Sequence, residues 1–294
     1  MTAPKAKASN AQAAARDPKK PYSICFIGNS HLAAYYKAWT NQVHPASAKF
    51  SLTFFPAKTS LLDTITLRGA ALVTSDRSLR NDFEDKSGEK RIELARYDAF
   101  VLVGLRFNFN IAETCSKFGT TGHAAYGPAG QLVSRALFSR LLHAQFEKAN
   151  ASIFADMIRQ RSSAPVLICP VPLRPEQVLD DPEYAANERL RDAAFLNPVF
   201  AQFRDAAEAA ARSRDCEIQW QDPQTIGLPG FSKREYSRAA SGDPKHERDR
   251  WHMNDEYGRI HLEAVLGRLD ELCGGRVLAR PAREKTKVSP RAKR

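Results

Sequence analysis

Five short, almost continuously apolar runs constrain the fold of this chain more than any other feature. They cover residues 23–27, 50–55, 99–103, 165–169 and, more weakly, 217–220. The first and third runs end at glycines, Gly28 and Gly104. A strand that is apolar on both faces must be covered on both faces, which is typical of a parallel sheet packed between helices.

Sequence with helical periodicity fills the intervals between these runs. The predicted helices cover residues 32–43, 131–161 with a break near 149–152, 197–214, and a last helix that begins after an N-cap at Asn254 or Asp255. The alternation predicts an α/β fold, a doubly wound, mostly parallel five-stranded sheet between helices. In such folds ligands bind at the carboxyl ends of the strands. Two polar stretches, 67–91 and 227–250, are predicted to be inserted loops near that edge.

The distribution of charge divides the chain into a core and two tails. Residues 1–20 carry a net charge of +4 and residues 276–294 one of +7, which together equal the +11 of the whole chain. Both tails lack apolar residues to bury, so we predict disordered basic tails at 1–20 and 276–294 around one domain at 21–275. The neutral domain offers no basic face for specific nucleic-acid binding.

Cysteine spacing and hydropathy indicate the compartment. The five cysteines are scattered without a C-x-x-C pair, which favours reduced thiols over disulfides or a zinc site. Residues 1–20 contain no continuous apolar segment of the signal-peptide kind, and no run is long enough to span a bilayer. We therefore predict a cytoplasmic protein without a membrane span. No feature of the sequence specifies an oligomeric state.

A serine lies where the first predicted strand turns into the first predicted helix. The strand ends at Gly28, and Asn29 and Ser30 follow before the helix. At this position backbone N–H groups and the positive end of the helix dipole favour a developing oxyanion. Taken alone, the same residues favour a turn that merely caps the helix, because a strand followed by G-x-S and a helix is a common arrangement.

A second cluster, Asp249-Arg250-Trp251-His252, lies just before the last predicted helix. A serine hydroxyl is a weak nucleophile until an imidazole accepts its proton, and that imidazole needs a carboxylate to hold its tautomer. An aspartate three residues before a histidine can supply both from one short loop. An isolated D-x-x-H pattern, in contrast, is typical of a charged surface loop.

Together the two clusters resemble the SGNH, or GDSL-like, serine hydrolase superfamily. Its members open with a strand followed by G-D-S, here Gly28-Asn29-Ser30, and close with D-x-x-H before the terminal helix. The resemblance spans residues 21–275 by layout. It implies a flavodoxin-like SGNH fold, with Ser30 as nucleophile, His252 as base and Asp249 as the carboxylate that orients it. It implies no cofactor.

The chain departs from the family pattern in three places. Asn29 replaces the usual aspartate, and the segment after the second strand, residues 54–60, lacks the glycine whose N–H completes the oxyanion hole. A backbone N–H of Lys58 or Thr59 is the candidate replacement. The family's G-x-N block reads Gly104-Leu105-Arg106 here, so we predict Asn108 as the side-chain oxyanion donor and Arg106 as a substrate contact.

His31 extends the first motif to the G-D-S-H form. This form resembles SGNH domains attached to membrane acyltransferases that modify cell-surface polysaccharides, which implies carbohydrate O-acyl chemistry. We therefore predict that His31 contacts substrate, with an uninvolved first-turn residue as the alternative. His246, Asp249 and His252 also have a spacing compatible with a metal site, but no second ligand pair accompanies them, so no metal is predicted.

These inferences lead to three functional hypotheses. The first is a serine esterase acting on a small-molecule or carbohydrate ester, with a carbohydrate O-acetyl group as the candidate substrate. The second is an acyltransferase that uses the same triad and passes the acyl group to a sugar hydroxyl. The third is a non-catalytic binding protein that retains the SGNH fold.

Overall fold

A computed structural model describes most of the predicted domain. The described residues are 20–41, 45–120, 131–185, 188–242, 244–247 and 249–274. The predicted basic tails lie outside these residues except for Lys20, so their disorder and the predicted domain boundaries stay predictions.

The five predicted strands form one parallel sheet. In chain order the strands are β1 (Tyr22–Gly28), β2 (Phe50–Pro56), β3 (Ile65–Arg68), β4 (Ala71–Thr74), β5 (Ile92–Glu93), β6 (Ala99–Val103), β7 (Phe118–Thr120), β8 (Gln131–Val133), β9 (Val166–Cys169) and β10 (Glu217–Ile218). The main sheet has the order β10-β9-β6-β1-β2, with every neighbouring pair parallel. This confirms the predicted fold class, because the apolar runs are the strands of that sheet.

Helices cover both faces of the sheet. They are α1 (Leu32–Thr40), α2 (Arg77–Ser87), α3 (Ile111–Lys117), α4 (Arg135–Glu147), α5 (Asn150–Arg159), α6 (Pro182–Ala185), α7 (Ala193–Arg212) and α8 (Asp255–Gly274). Helices α1 and α8 bury apolar side chains against one face of the sheet. Helices α2, α4, α5 and α7 bury theirs in the core on the other face. The resulting three layers leave the carboxyl edge of the sheet accessible.

The prediction of a loop at 67–91 is wrong. This stretch contains strand β4, helix α2 and the end of β3, and the antiparallel β3-β4-β5 sheet is built around it. Gly69 turns the β3–β4 hairpin at φ +61°, and Asp76 caps α2 by accepting a hydrogen bond from the Leu79 N–H at 2.8 Å. Helix α2 buries Leu79 and Phe83 and is otherwise polar, so its apolar periodicity is too sparse to recognise in sequence.

The long helix predicted at 131–161 is correct in its break and wrong at its start. Residues 131–133 form strand β8, which pairs with β7, and Ser134 then caps α4. Helices α4 and α5 are separated at residues 148–149, close to the predicted break. The start was missed because a strand partner elsewhere in the chain leaves no periodicity in the local sequence.

The polar stretch 227–250 is a loop region, as predicted, in its described part. Short 3₁₀ turns at Arg234–Tyr236, Arg238–Ser241 and Pro244–His246 carry the chain toward α8. Helix α8 begins after Asn254, whose side chain accepts a hydrogen bond from the Tyr257 N–H at 3.0 Å, which confirms one of the two predicted N-caps. Within the described part of the chain, no helix is long and apolar enough to cross a bilayer.

A buried histidine joins α1 to α8. The Tyr35 hydroxyl lies 2.6 Å from Nδ1 of His261, and the His261 ring stacks on Tyr257. Burial lowers the pKa of His261 to about 4, against the effects of a hydrogen bond to the Trp220 backbone and the charge of Asp222. The native state therefore holds this ring neutral well below the pH at which an unfolded histidine takes up a proton.

This difference predicts that acid destabilises the fold through His261. Above pH 6.5 the neutral His261 ring makes its full contribution to the free energy of unfolding. This contribution is lost as pH falls from 6.5 toward 4, because only the unfolded state binds the proton in that window. Between pH 7 and pH 5 this amounts to about 2 kcal/mol. Urea unfolding at pH 7 and pH 5 measures this change. The free energy of unfolding should decrease less between the two pH values in His261→Gln, which keeps an acceptor for Tyr35, than in the wild type. His143→Gln, at a half-exposed position on α4, should behave as wild type. Equal acid sensitivity in His261→Gln and wild type would contradict the assignment.

Candidate active site

Close contact between neighbouring strands fixes the turn that carries Ser30. A Cβ atom added at Gly28 would lie 2.8 Å from the Val103 carbonyl oxygen of β6, so only glycine fits at the end of β1. On the other side, the Gly28 carbonyl accepts a hydrogen bond from the Ala57 N–H at 2.7 Å. The chain then leaves the sheet edge, and Ser30 lies exposed one residue before His31 and the start of α1.

Asn29 organises this turn rather than facing solvent. Its side chain is buried, and its Oδ1 accepts a hydrogen bond from the His31 N–H at 3.2 Å. The same oxygen lies against Gly104, where an added Cβ atom would approach it to 2.5 Å. Asparagine thus supplies the carbonyl oxygen that a family aspartate would provide, and the departure at this position leaves the turn intact.

The structure brings together the three residues predicted to form the triad. Nε2 of His252 lies 2.9 Å from Oγ of Ser30, and Nδ1 lies 3.0 Å from both carboxylate oxygens of Asp249. With the proton on Nδ1 donated to the carboxylate, Nε2 is free to accept the hydrogen bond of the Ser30 hydroxyl. The side chains therefore form a continuous hydrogen-bonded series across residues that are 222 positions apart in sequence.

The loop that carries Asp249 also stabilises its negative charge. Partial burial opposes ionisation, but hydrogen bonds from the backbone N–H groups of Trp251 and His252, and from the His252 side chain, outweigh it and lower the pKa of Asp249. The two backbone N–H groups lie 3.1 and 3.0 Å from Oδ1. A carboxylate held in this way is ionised at neutral pH and keeps the imidazole in one tautomer.

Backbone hydrogen bonds attach the histidine loop to the preceding turns. The Arg238 N–H donates to the His252 carbonyl at 2.8 Å, and the Asn254 N–H donates to the Tyr236 carbonyl at 2.9 Å. The Ser237 hydroxyl donates to the Asp249 carbonyl at 3.3 Å. The predicted loop at 227–250 therefore borders the site, because its turns hold both Asp249 and His252.

Three backbone N–H groups at this edge of the sheet are candidate oxyanion donors. Within the described residues, the N–H of Ser30 makes no hydrogen bond. The N–H groups of Lys58 and Thr59 are likewise without an acceptor in that part of the chain, at the start of a 3₁₀ turn that follows β2. These groups are the candidates for binding a negative oxygen at the carboxyl edge of the sheet.

Asn108 and Arg106, the other predicted site residues of this edge, make contacts away from the triad. Gln145 of α4 donates a hydrogen bond to the Asn108 carbonyl at 3.0 Å, and in the described part of the chain no hydrogen bond links the Asn108 side chain to Ser30 or His252. The Arg106 guanidinium donates to the Thr59 carbonyl at 3.2 Å and lies 3.4 Å from Asp63. Their predicted roles toward substrate stay predictions.

The segment from Gly104 to Arg106 has an unusual backbone. All three residues have positive φ, at +74°, +46° and +58°, immediately after β6. Such conformations cost energy for residues with side chains and are held by surrounding contacts. Here the Leu105 carbonyl accepts from the Ala151 N–H, and the Phe107 N–H donates to the Gly104 carbonyl. These hydrogen bonds hold the left-handed turn at the carboxyl end of β6.

His31 packs beside the triad histidine. The two ring centroids lie 5.3 Å apart, and Nδ1 of His31 is buried without a hydrogen-bond partner in the described part of the chain. Burial lowers the pKa of His31 to about 4, and the nearby charge of His252 acts in the same direction. His31 is therefore a neutral ring at neutral pH, placed in the wall of the site.

The alternative of a metal site at the late cluster has no geometric support. Both ring nitrogens of His252 face other partners, Asp249 and Ser30. Among the residues that the structure describes, no group of three or more histidine, cysteine or acidic side chains could hold a metal ion.

Sequence reasoning missed two arginines near the site. Arg238 lies beside Asp249 and His252, and Arg174 places its guanidinium 3.6 Å above the ring of Trp251. Trp251 is 53% exposed. Neither arginine belongs to a motif, and only the tertiary fold brings Arg238 beside Asp249 and Arg174 against Trp251.

Comparison with known proteins adds no assignment. No family model and no curated protein matches this chain. Among solved structures, a Streptococcus pneumonia protein provisionally named as a platelet activating factor aligns over 85% of each chain, with 12% sequence identity and a TM-score of 0.42. Similarity at this level carries no argument about activity, so the function must be argued from the geometry of the site.

Substitution at Gly104 tests whether Asn29 holds the turn that carries Ser30. Gly104→Ala places a Cβ atom 2.5 Å from Asn29 Oδ1, whereas Gly88→Ala meets no atom within 4 Å at the same φ of +74°. The strained φ should cost each variant about 1 kcal/mol, and the clash should cost Gly104→Ala about 1–3 kcal/mol more. Chemical denaturation measures this difference in the free energy of unfolding. Equal destabilisation of the two variants would show that Asn29 does not hold the turn against Gly104.

Proposed function

We propose that this chain is a serine ester hydrolase of the SGNH type, in which Ser30, His252 and Asp249 carry the reaction. The observation that supports this proposal is the hydrogen-bonded series from Ser30 Oγ through the imidazole to the Asp249 carboxylate. The chemistry of a weak hydroxyl nucleophile requires that arrangement and no cofactor.

The mechanism follows from the two hydrogen bonds of His252. Ser30 Oγ attacks the carbonyl carbon of the ester while Nε2 of His252 accepts the hydroxyl proton. Asp249 stabilises the imidazolium through its hydrogen bond to Nδ1. The same Nε2 proton then passes to the leaving alkoxide, and the carbonyl reforms as an acyl-serine. Water attacks that ester with His252 again as base, and the imidazole returns the proton to Ser30 Oγ as its bond to the acyl carbon breaks and the acid is released.

Negative charge on the carbonyl oxygen needs donors in both steps. The N–H of Ser30 is the first candidate, and the N–H groups of Lys58 and Thr59 are candidates for the second position. The Asn108 side chain is the proposed additional donor, a role that requires it to turn toward Ser30. Each donor of this kind contributes about 10²–10³ to turnover in serine hydrolases.

Access of water to Ser30 favours hydrolysis over transfer to a second alcohol. Ser30 is exposed, and the His252 side chain is one-third exposed. An acyltransferase has to exclude water from the acyl-enzyme, and an open serine does not do so. The proposed substrate is an ester of a small acyl group, such as an O-acetyl group on a carbohydrate, by resemblance through Gly28-Asn29-Ser30-His31.

Covalent labelling tests the nucleophile. A fluorophosphonate should label the wild type at one site, and Ser30→Ala should abolish labelling because, among the residues that the structure describes, no other serine has an imidazole hydrogen-bond partner. Intact-mass spectrometry and peptide mapping provide the measurement. Ser78→Ala, on the exposed surface of α2, is the matched control and should label as wild type. Labelling of a different residue, with Ser30 unmodified, would rule out the mechanism.

Replacement of the triad carboxylate tests its role separately. Asp249→Asn keeps an oxygen for the two backbone N–H groups but favours the wrong imidazole tautomer, so kcat on an activated ester should fall about 10⁴-fold. Asp85→Asn, on the exposed face of α2, is the control and should leave kcat unchanged. A normal kcat in Asp249→Asn would remove Asp249 from the mechanism, and circular dichroism would verify that both variants fold.

A further inference from the structure

A small cavity of about 50 Å³ opens beside Ser30 and His252. Its wall is formed by the start of α1, the start of α8 and the turn that begins at Arg238. The polar or charged side chains that line it are Ser30, His31, Lys37, Arg238, His252, Asp255 and Tyr257. The cavity therefore lies directly against the reacting atoms and has two cations in its wall.

Arg238 has N–H donors that make no hydrogen bond to the residues that the structure describes. Its Nη1 lies 3.8 Å from Asp249 Oδ2, which is beyond hydrogen-bonding distance. The Asp249 carboxylate already accepts hydrogen bonds from the His252 ring and from two backbone N–H groups. Within the described residues the Arg238 guanidinium donates no hydrogen bond, although its backbone is fixed by the His252 carbonyl. Arg238 lines the cavity, and the hydrogen bond from its backbone N–H to the histidine loop sets its position there.

The second cation and the buried histidine complete the lining. Lys37 pairs with Asp255 at 3.1 Å, and both side chains are about half exposed, so this ion pair contributes little and is open to exchange. Nδ1 of His31 is buried and without a partner in the described part of the chain. A buried polar atom that lacks a partner costs free energy, and a polar group of a ligand would relieve that cost.

We propose that this cavity is an oxyanion-group subsite, and that the substrate of the proposed esterase carries a carboxylate or phosphate close to its scissile ester. Arg238 binds that group through paired N–H donors, Lys37 adds a second positive charge, and His31 supplies a neutral ring N–H. Arginine and carboxylate or phosphate match in geometry and charge, which gives selectivity against neutral esters. This inference rests on the proposed function, because it assigns the class of substrate for the same site.

Paired substrates test the selectivity. In the first pair, para-acetoxybenzoate and para-acetoxybenzamide, the charge is on the alcohol part of the ester. In the second pair, phenyl hemisuccinate and phenyl succinamate, the charge is on the acyl group. The wild type should favour the charged member of at least one pair in kcat/KM by about tenfold or more, the range expected for charge-assisted hydrogen bonds. Arg238→Gln should lose that preference, so that the ratio of kcat/KM for the charged and neutral members falls toward one.

Arg234→Gln is the matched control. Arg234 lies in the same loop region and pairs with Asp180 at 2.8 Å, outside the cavity lining. It should leave the preference intact. An equal loss on charged and neutral esters in Arg238→Gln would overturn the proposal, because Arg238 would then act through Asp249 alone. The absence of a preference in both wild-type pairs would overturn it as well.

A binding measurement separates this proposal from the proposed function. Calorimetric titration of Ser30→Ala with para-hydroxybenzoate, succinate and inorganic phosphate measures anion binding to the subsite without turnover. Comparison of phosphate with the two carboxylates distinguishes the two kinds of anion. Binding that weakens about tenfold or more in Ser30→Ala/Arg238→Gln supports the subsite even if the wild type hydrolyses no ester. Esterase activity without anion binding in this titration would leave the hydrolase standing and remove the subsite.

Discussion

The packing of α1 against α8 is the contact on which the site depends. Gly258 of α8 lies against the backbone of Ala34, where an added Cβ atom would meet the carbonyl oxygen at 2.5 Å. The two helices are further joined by the hydrogen bond between Tyr35 and His261. Since Ser30 precedes α1 and His252 precedes α8, this approach brings the starts of both helices together at the carboxyl edge of the sheet. The distance of 2.9 Å between Ser30 Oγ and His252 Nε2 is thus a consequence of core packing.

The charges of the residues at the site depend on their burial and on the hydrogen bonds that they make. Asp249 accepts hydrogen bonds from its own loop, which lowers its pKa and commits it to His252. In the described part of the chain Arg238 makes no hydrogen bond to that carboxylate, and its Nη1 lies 3.8 Å from Oδ2. His31 is held neutral by burial and so adds no positive charge next to His252. The small cavity beside Ser30 is lined by both the His252 ring and the Arg238 side chain.

The sequence predicts the parts of this structure that depend on local pattern. The apolar runs identify the five parallel strands, and the two motifs identify the residues that meet at Ser30. The hairpin and helix at 65–87 escaped prediction because only Leu79 and Phe83 mark the buried face of α2. Arg238 and the left-handed turn at Gly104 escaped it for another reason: both depend on tertiary contacts that leave no period or spacing in the chain. The positions of side chains were therefore predictable where a motif places them, and not where packing does.

The most direct test of the account is to trap the acyl-enzyme. Wild-type protein would be mixed with para-nitrophenyl acetate, quenched in acid within the first turnover and digested for mass spectrometry. The account predicts an acetyl group on the peptide that contains Ser30, and no such adduct after His252→Gln, because the hydroxyl then lacks its base. Release of para-nitrophenol without an acyl-serine at position 30, or an acetyl group on another residue that forms at the same rate as product, would contradict it.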